Sequence, residues 1–306
     1  MELRILHYFL AVAREQSISA AAESLHLSQP TLSTQLKALE EELGKQLLIR
    51  GTKGSRKVVL TEEGMILRKR AEEILSLVKR TEDEISRSDE AIVGDVYIGA
   101  GETDMVRAFA RTAKALQKRY PDIHYHISSG NAEYVLEYLD KGLIDFGLLF
   151  GTVDAQKYES LPLPARDTWG VLMRRDSPLA EKERIRPEDL WDKPLIMSHQ
   201  RGDIPYLSRW MKKDLSALKV VATYNLVYNA SLLVDEGLGY ALCLDKLIHT
   251  AGSGLCFRPL DPPLEAPACI VWKKYQMFSK AAEAFLQSLH GMLEGAGAAL
   301  TPGKEK

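Results

Sequence analysis

Three cysteines in 306 residues and no proline between Pro30 and Pro121 are the first absences in this chain. No apolar run approaches the ~20 residues that cross a bilayer, so a membrane helix is not expected. Cys243, Cys256 and Cys269 lie far apart, which excludes a dense disulfide framework and predicts a reducing, cytoplasmic compartment. Cys243 and Cys269 sit in apolar, strand-like runs and read as buried, inert thiols. The opening MELRILHYFLAVAREQS lacks a basic leader and a small-residue cleavage site; it reads as an amphipathic helix, so export is not expected. There is no Walker loop and no G-x-S-x-G elbow. Gly99-Ala100-Gly101 follows a strand, but the third glycine position of a dinucleotide fingerprint is Asp104. His7, His26, His124, His126, His199, His249 and His290 are scattered. His124 and His126 alternate on one strand face and read as a solvated or structural pair. No metal, cofactor or enzymatic activity is expected.

Charge is near balance, −2 for the whole chain, but it is not evenly spread. Residues 1–60 carry eight Lys and Arg against six Asp and Glu, whereas residues 61–90 carry six against nine. A locally basic N-terminal segment on a near-neutral chain is compatible with nucleic-acid binding.

Within that segment, Ser17–Gly44 predicts two short helices and a tight turn. Ala20, Ala21 and Ala22 make the first helix thin, so a partner helix can approach closely. Leu25 and Leu27 flank His26, which is placed to take a positive φ in the turn. Ser28 is an N-cap and Pro30 falls in the first turn, where a missing N–H costs nothing. Leu32, Leu36, Leu39 and Leu43 define a buried stripe, and Gly44 is the C-terminal stop. Off the stripe lie Ser28, Gln29, Pro30, Thr31, Ser33, Thr34 and Gln35. Glutamines donate and accept toward an adenine edge, hydroxyls do either, and the Pro30 ring and Thr31 methyl can touch a thymine methyl. A solvated surface helix would look similar in isolation, but RGTKGSRKVVLT follows at residues 50–61. It reads as a turn and a strand over Lys57–Leu60, a small wing whose Arg50, Lys53, Arg56 and Lys57 suit phosphate contact.

The ordered set Phe9, AAESLHLSQPTLSTQL, LEEELG, LIR at 48–50 and LTEEG at 60–64 resembles the DNA-binding end of LysR-type transcriptional regulators. Thr34 stands where that family often has Arg, and Leu48 where Phe is common. The resemblance implies a winged helix-turn-helix over residues 1–60, a linker and dimerisation helix over 61–90, and a periplasmic-binding-protein-like regulatory domain over 91–306. The fold class is therefore α+β and multi-domain, with double-stranded DNA as partner. The chain itself, with RNA polymerase as a further contact, completes the set of expected partners.

Read from the residues, Thr61 can cap a connector helix carrying Glu62 and Glu63 in its first turn. Ile66, Ala71, Ile74, Leu75, Val78, Thr81 and Ile85 form its apolar stripe. A helix of about 28 residues would be ~40 Å long, and a second copy of the same helix is the economical cover; in the resembled family this helix pairs subunits. A two-fold DNA site needs two winged helices, so a dimer is expected, with a tetramer beyond it. From Val93 onward strands and helices alternate, predicting parallel sheet flanked by helices. Strands are expected at Val96–Ala100, Ile123–Ser128, Asp145–Phe150, Trp169–Arg174, Leu195–Ser198, Val220–Tyr224 and Ala268–Lys273. Helices are expected at Glu102–Tyr120, Ala132–Lys141, Tyr206–Leu215, Asn229–Asp235 and Ser279–Leu293. Two lobes, about 91–163 with 267–293 and about 164–266, would be joined by crossings near Pro162–Asp167 and Arg258–Ala266. IGAGETDMV, RYPDI, SSGNAEYVLEYLDKGLIDFGLL and DEGLGYALCL keep the order and spacing of the resembled family's regulatory half.

Ligands of open α/β sheets bind beyond the C-terminal ends of strands. Gly101-Glu102-Thr103 and Ser128-Ser129-Gly130-Asn131 are two such ends, each with free N–H groups and hydroxyls that suit a carboxylate or another anion. Glu102 opposes an anion, so the ligand's charge stays open. Ser198, His199, Arg201 and Asn225 are the matching positions in the second lobe. A ligand-responsive DNA-binding regulator is the leading reading. A solute-binding protein and a Rossmann-like oxidoreductase are the alternatives, opposed by the winged segment and by the incomplete fingerprint.

Overall fold

The computed structural model describes residues 1–51, 57–86, 91–199 and 204–299. It divides into two compact units, Met1–Ser88 and Asp89–Lys306.

The first unit opens with α1 (Leu3–Glu15), which ends where Gln16 turns left-handed at φ 51°. In α2 (Ile18–Ser24), Ser17 Oγ caps the start by accepting from the Ala20 N–H at 3.3 Å. Ala21 and Ala22 are fully enclosed, which brings the backbone of α2 close to its neighbours. His26 takes φ 55°, and the Leu27 N–H returns to Ala22 O at 2.8 Å, closing the turn. Next comes α3 (Gln29–Leu43), capped by Ser28 Oγ, which accepts from the Thr31 N–H at 3.2 Å. Leu32, Leu36 and Leu39 fill the core beside Phe9 and Val12. Leu43 does not join them. It is 41% exposed, because it closes the last turn before Gly44 at φ 62° leads the chain away from the core.

The wing is an antiparallel pair, β1 (Leu48–Arg50) and β2 (Val58–Leu60), with Leu48 opposite Leu60 and Arg50 opposite Val58. The second strand starts one residue later than expected. Glu40 Oε1 accepts from the Leu47 and Leu48 N–H groups at 2.8 and 3.0 Å, tying α3 to the wing. The connector is α4 (Glu62–Ser86), 25 residues, begun by Thr61 Oγ1 accepting from the Gly64 N–H at 3.0 Å.

The second unit is a nine-stranded mixed sheet ordered β4-β3-β5-β11-β6-β9-β7-β8, with β10 paired to β6. Its strands are β3 (Gly94–Ala100), β4 (Ile123–Ser129), β5 (Phe146–Phe150), β6 (Tyr158–Arg174), β7 (Leu195–Ser198), β8 (Val220–Tyr224), β9 (Tyr240–Leu244), β10 (Leu255–Pro259) and β11 (Glu265–Lys273). Parallel pairs β3/β4, β3/β5, β7/β8 and β7/β9 give each lobe its α/β character. On the first lobe, α5 (Val106–Gln117) and α9 (Lys280–Ala299) cover one face through Phe109 and Phe285, and α6 (Ala132–Asp140) covers the other through Val135 and Leu139. On the second, α7 (Ile204–Met211) and α8 (Val227–Asp235) do the same through Leu207 and Met211, and through Ala230 and Val234.

Four expectations are corrected. The segment Pro162–Asp167 is not a loop but part of the 17-residue β6, which pairs with β11 in the first lobe and with β9 and β10 in the second. Pro162 and Pro164 are tolerated because that stretch pairs on one side, with β11, so a missing N–H need break no ladder bond. The helix after β3 begins at Val106 rather than Glu102, since Thr103 Oγ1 accepts from the Met105 N–H at 3.1 Å and holds the preceding residues in turns. The helix expected to reach Leu215 stops at Met211, followed by Lys212 at φ 53°. Strand β10, absent from the expected set, pairs with β6 from Leu255 opposite Arg174 to Pro259 opposite Gly170.

Gly64 is a tight point: a Cβ there would lie 2.2 Å from Leu47 O, and that oxygen is pinned by the Thr61 N–H at 3.0 Å. Gly64→Ala is expected to destabilise the first unit by ~1–3 kcal/mol, the usual cost of overpacking. An unchanged urea midpoint would show that the connector is not held this closely.

Candidate functional site

Two surfaces gather the chemistry. The first is the outer face of α3. Ser28, Gln29, Pro30, Thr31 and Thr34 are exposed, and Ser33 and Gln35 half-buried, on the side opposite Leu32, Leu36 and Leu39. The cap and proline fix the N-terminal turn that carries Gln29, so its amide is presented from ordered backbone. Ser28 Oγ also bonds Thr31 Oγ1 at 2.7 Å. Arg50 does not stand apart on the wing: its guanidinium donates to Ser33 Oγ at 3.3 Å and lies 3.5 Å from Glu40 Oε2. Strand β1 thus delivers a cation to the flank of α3. Lys57 is exposed at the start of the second wing strand, and Lys53 and Arg56 lie outside the described residues.

The second surface is a cavity of about 150 Å³ in the cleft between the lobes of the second unit. Of the expected positions, Gly101, Glu102, Gly130, Asn131, Ser198 and Asn225 line it. Thr103, Ser128, Ser129 and His199 are not on its wall, and Arg201 lies outside the described residues. Asn131 Oδ1 caps α6 by accepting from the Tyr134 N–H at 2.9 Å. Gly130 is required beside it, because a Cβ would fall 2.1 Å from the Tyr134 ring. Much of the apolar wall comes from strands: Leu148, Leu149 and Phe150 of β5, Trp169 of β6, Leu244 of β9, and Ala266 and Pro267 of β11. Those residues were not anticipated, since strands covered on both faces read as uniform apolar runs without a signal for which residue meets a cleft.

Glu102 reaches from the first lobe to the second, where its Oε2 accepts from the Val227 N–H at the start of α8. Helix α8 has no side-chain cap from its own Leu226, so Glu102 supplies the missing acceptor at the positive end of the helix. Next to it, Thr103 Oγ1 donates to Asp167 Oδ2 of β6. Burial pushes the Asp167 carboxyl above its ordinary 3.8, Asp104 and Asp245 add to the rise, and the Thr103 hydroxyl and Lys246 oppose it.

The thiols are closed off. Cys243, Cys256 and Cys269 are 2%, 4% and 6% exposed. Burial pushes the Cys243 thiol up to about 12 and raises that of Cys269, which disfavours the reactive thiolate. Among the described residues no helix is long and apolar enough to cross a membrane, and no group of His, Cys, Asp and Glu is arranged to hold a metal ion.

A family model described as a bacterial regulatory helix-turn-helix protein of the lysR family matches residues 3–65, and a LysR substrate binding domain matches residues 90–294. The chain is 32% identical over 197 residues to a hydrogen peroxide-inducible genes activator of Dickeya chrysanthemi, covering 64% of this chain and 63% of that protein. The chain therefore spans just under two thirds of that relative's length. It is 27% identical over 307 residues to the HTH-type transcriptional regulator YfeR of Shigella flexneri, covering 99% and 96% of the two chains. In fold it is similar to full-length CbnR complexed with its target DNA, at a TM-score of 0.73 and 20% identity over 95% of this chain and 99% of CbnR.

An acid whose folded pKa is raised stabilises most at and below its unfolded pKa, and that contribution is lost as pH rises through the folded value. Asp167→Asn removes this titration while leaving an acceptor for Thr103. Its urea midpoint should fall less, or rise more, than that of the unmodified chain between pH 4 and pH 7. Parallel pH profiles would show that Asp167 is not held above its ordinary range.

Proposed function

Because the chain belongs to the lysR family of bacterial helix-turn-helix regulators, we propose that it is a sequence-specific, DNA-binding transcriptional regulator controlled by a small molecule held in the cleft cavity. The observation that carries this reading is the outward face of α3, where Gln29, Thr31 and Thr34 are exposed on a capped, leucine-anchored helix. In the major groove, Gln29 and Gln35 pair with base edges, Ser33 and Thr34 donate or accept, and Pro30 and Thr31 meet methyl groups. Arg50, with Lys53, Arg56 and Lys57, contacts phosphates and sets the register.

Two copies act together. Ile66, Leu77 and Ile85 of α4 are exposed on one side, an apolar surface that a second α4 would cover. Dimers then associate into tetramers, and a ligand that prefers one state of the cleft shifts how the dimers bind and bend DNA, changing the access of RNA polymerase. The protein is cytoplasmic and is not an enzyme. Peroxide chemistry is not carried over from the Dickeya relative, because the three thiols of this chain are buried and two are held protonated. Thr103 acts as a positioning residue through Asp167 rather than as a ligand contact.

Mobility shifts on sequences selected from random DNA test the reading. Gln29→Ala should lose ~1–3 kcal/mol of discrimination at one base position, and Lys53→Ala should weaken all sequences alike and reduce the salt slope by about 1. If Gln29→Ala left affinity and base preference untouched, α3 would not be the reading helix.

A further inference from the structure

Among the described residues the cleft wall is acidic. It holds three carboxylates, Glu102, Glu133 and Glu265, and among the described residues no Lys, Arg or His. Arg166 offsets Glu265 at 3.2 Å, and Glu133 is exposed in the first turn of α6. Glu102 is different, because it is half-buried and bridges the lobes. The N-terminus of α8 would otherwise be the seat for a ligand carboxylate. Here it is filled by a carboxylate of the chain itself. An anion entering the cleft meets Glu102 already on the one cavity-lining helix start among the described residues that lacks its own cap, as Asn131 caps α6. A cation finds the Glu102 carboxylate as an acceptor within a largely apolar wall. Lys246, the nearby cation that acts on Asp167, is exposed and not on the wall.

We propose that the cleft takes an amphipathic cation: an apolar body the size of one ring, carrying a protonated nitrogen seated at Glu102. This rests on the cleft being the effector site. A cavity of about 150 Å³ accepts a benzene-sized body against Trp169, Phe150 and Leu244. The ammonium donates to the Glu102 carboxylate, while that carboxylate keeps its bond to the Val227 N–H. The ligand therefore joins the link between the lobes instead of displacing it.

The test uses the full chain and three probes of one skeleton, 2-phenylethylamine, 2-phenylethanol and 3-phenylpropionate, titrated by calorimetry. The amine should bind about tenfold or more tighter than either of the others, the scale of one hydrogen bond to a charged group. Glu102→Gln, which keeps an acceptor for Val227 but removes the charge, should abolish that preference. Ala132→Trp, which puts a large ring on the exposed part of the cavity wall, should weaken all three probes. Equal binding of the three, absence of saturable amine binding, or a carboxylate preference lost in Arg201→Ala would each overturn the charge assignment. Amine binding that is selective but untouched by both Ala132→Trp and Glu102→Gln would instead overturn the cleft as the site.

Discussion

Close approach of α2 to its neighbours is the constraint on which the reading head depends. Ala21 and Ala22 are 0% and 2% exposed, and their small size lets α3 lie over α1 with Leu32, Leu36 and Leu39 turned inward. With one side of α3 committed to leucine packing, the opposite side has to face solvent. The cap at Ser28 and the Glu40 carboxylate on the wing amides then fix the two ends of that helix. Presentation of Gln29 and its neighbours is thus a consequence of core packing, and the polar face needs no scaffold of its own.

A similar economy operates in the second unit, where strands do the work of linkers. Strand β6 belongs to both lobes, and β11 runs beside it with a register shift between Pro267 and Cys269. Two continuous strands make a stiffer joint than two loops would. The residues flanking that joint, Trp169, Ala266 and Pro267, are also cavity wall. The cleft's floor and its hinge are therefore the same backbone. Glu102 ties the first lobe across the cleft to α8, and Thr103, next in sequence, ties to Asp167 on the connecting strand β6. Any ligand that engages Glu102 acts on one of these ties directly.

The winged unit was legible in the sequence almost residue by residue, because caps, a turn histidine and a leucine stripe are local signals. Ser28, His26 and Gly44 act as their chemistry suggests, whereas Leu43 turns outward at the last turn of its helix and the second wing strand starts one residue late. The second unit was legible in its order but not in its joints. Pro162 and Pro164 signalled a break, and only the one-sided pairing of β6 with β11 explains why they sit in a strand. The cleft was half legible. Strand ends announced Gly101, Glu102, Gly130 and Asn131, but not that Thr103 would turn away to Asp167, nor that the wall would be built from the buried strands. Glu102 itself looked like an obstacle to a ligand; its partner, the Val227 N–H, is 125 residues away and invisible to local reasoning.

Methylation interference by dimethyl sulfate separates major-groove from minor-groove reading, since it marks guanine N7 in the major groove and adenine N3 in the minor groove of the same DNA. On a fragment selected by the full chain and carrying guanines within or beside both half-sites, where an N7 methyl group would block the approach of α3, interference is expected at guanine N7 in two patches about 10 bp, or a multiple of that, apart. Interference confined to adenine N3, or none at either position, would contradict a reading helix lodged in successive major grooves.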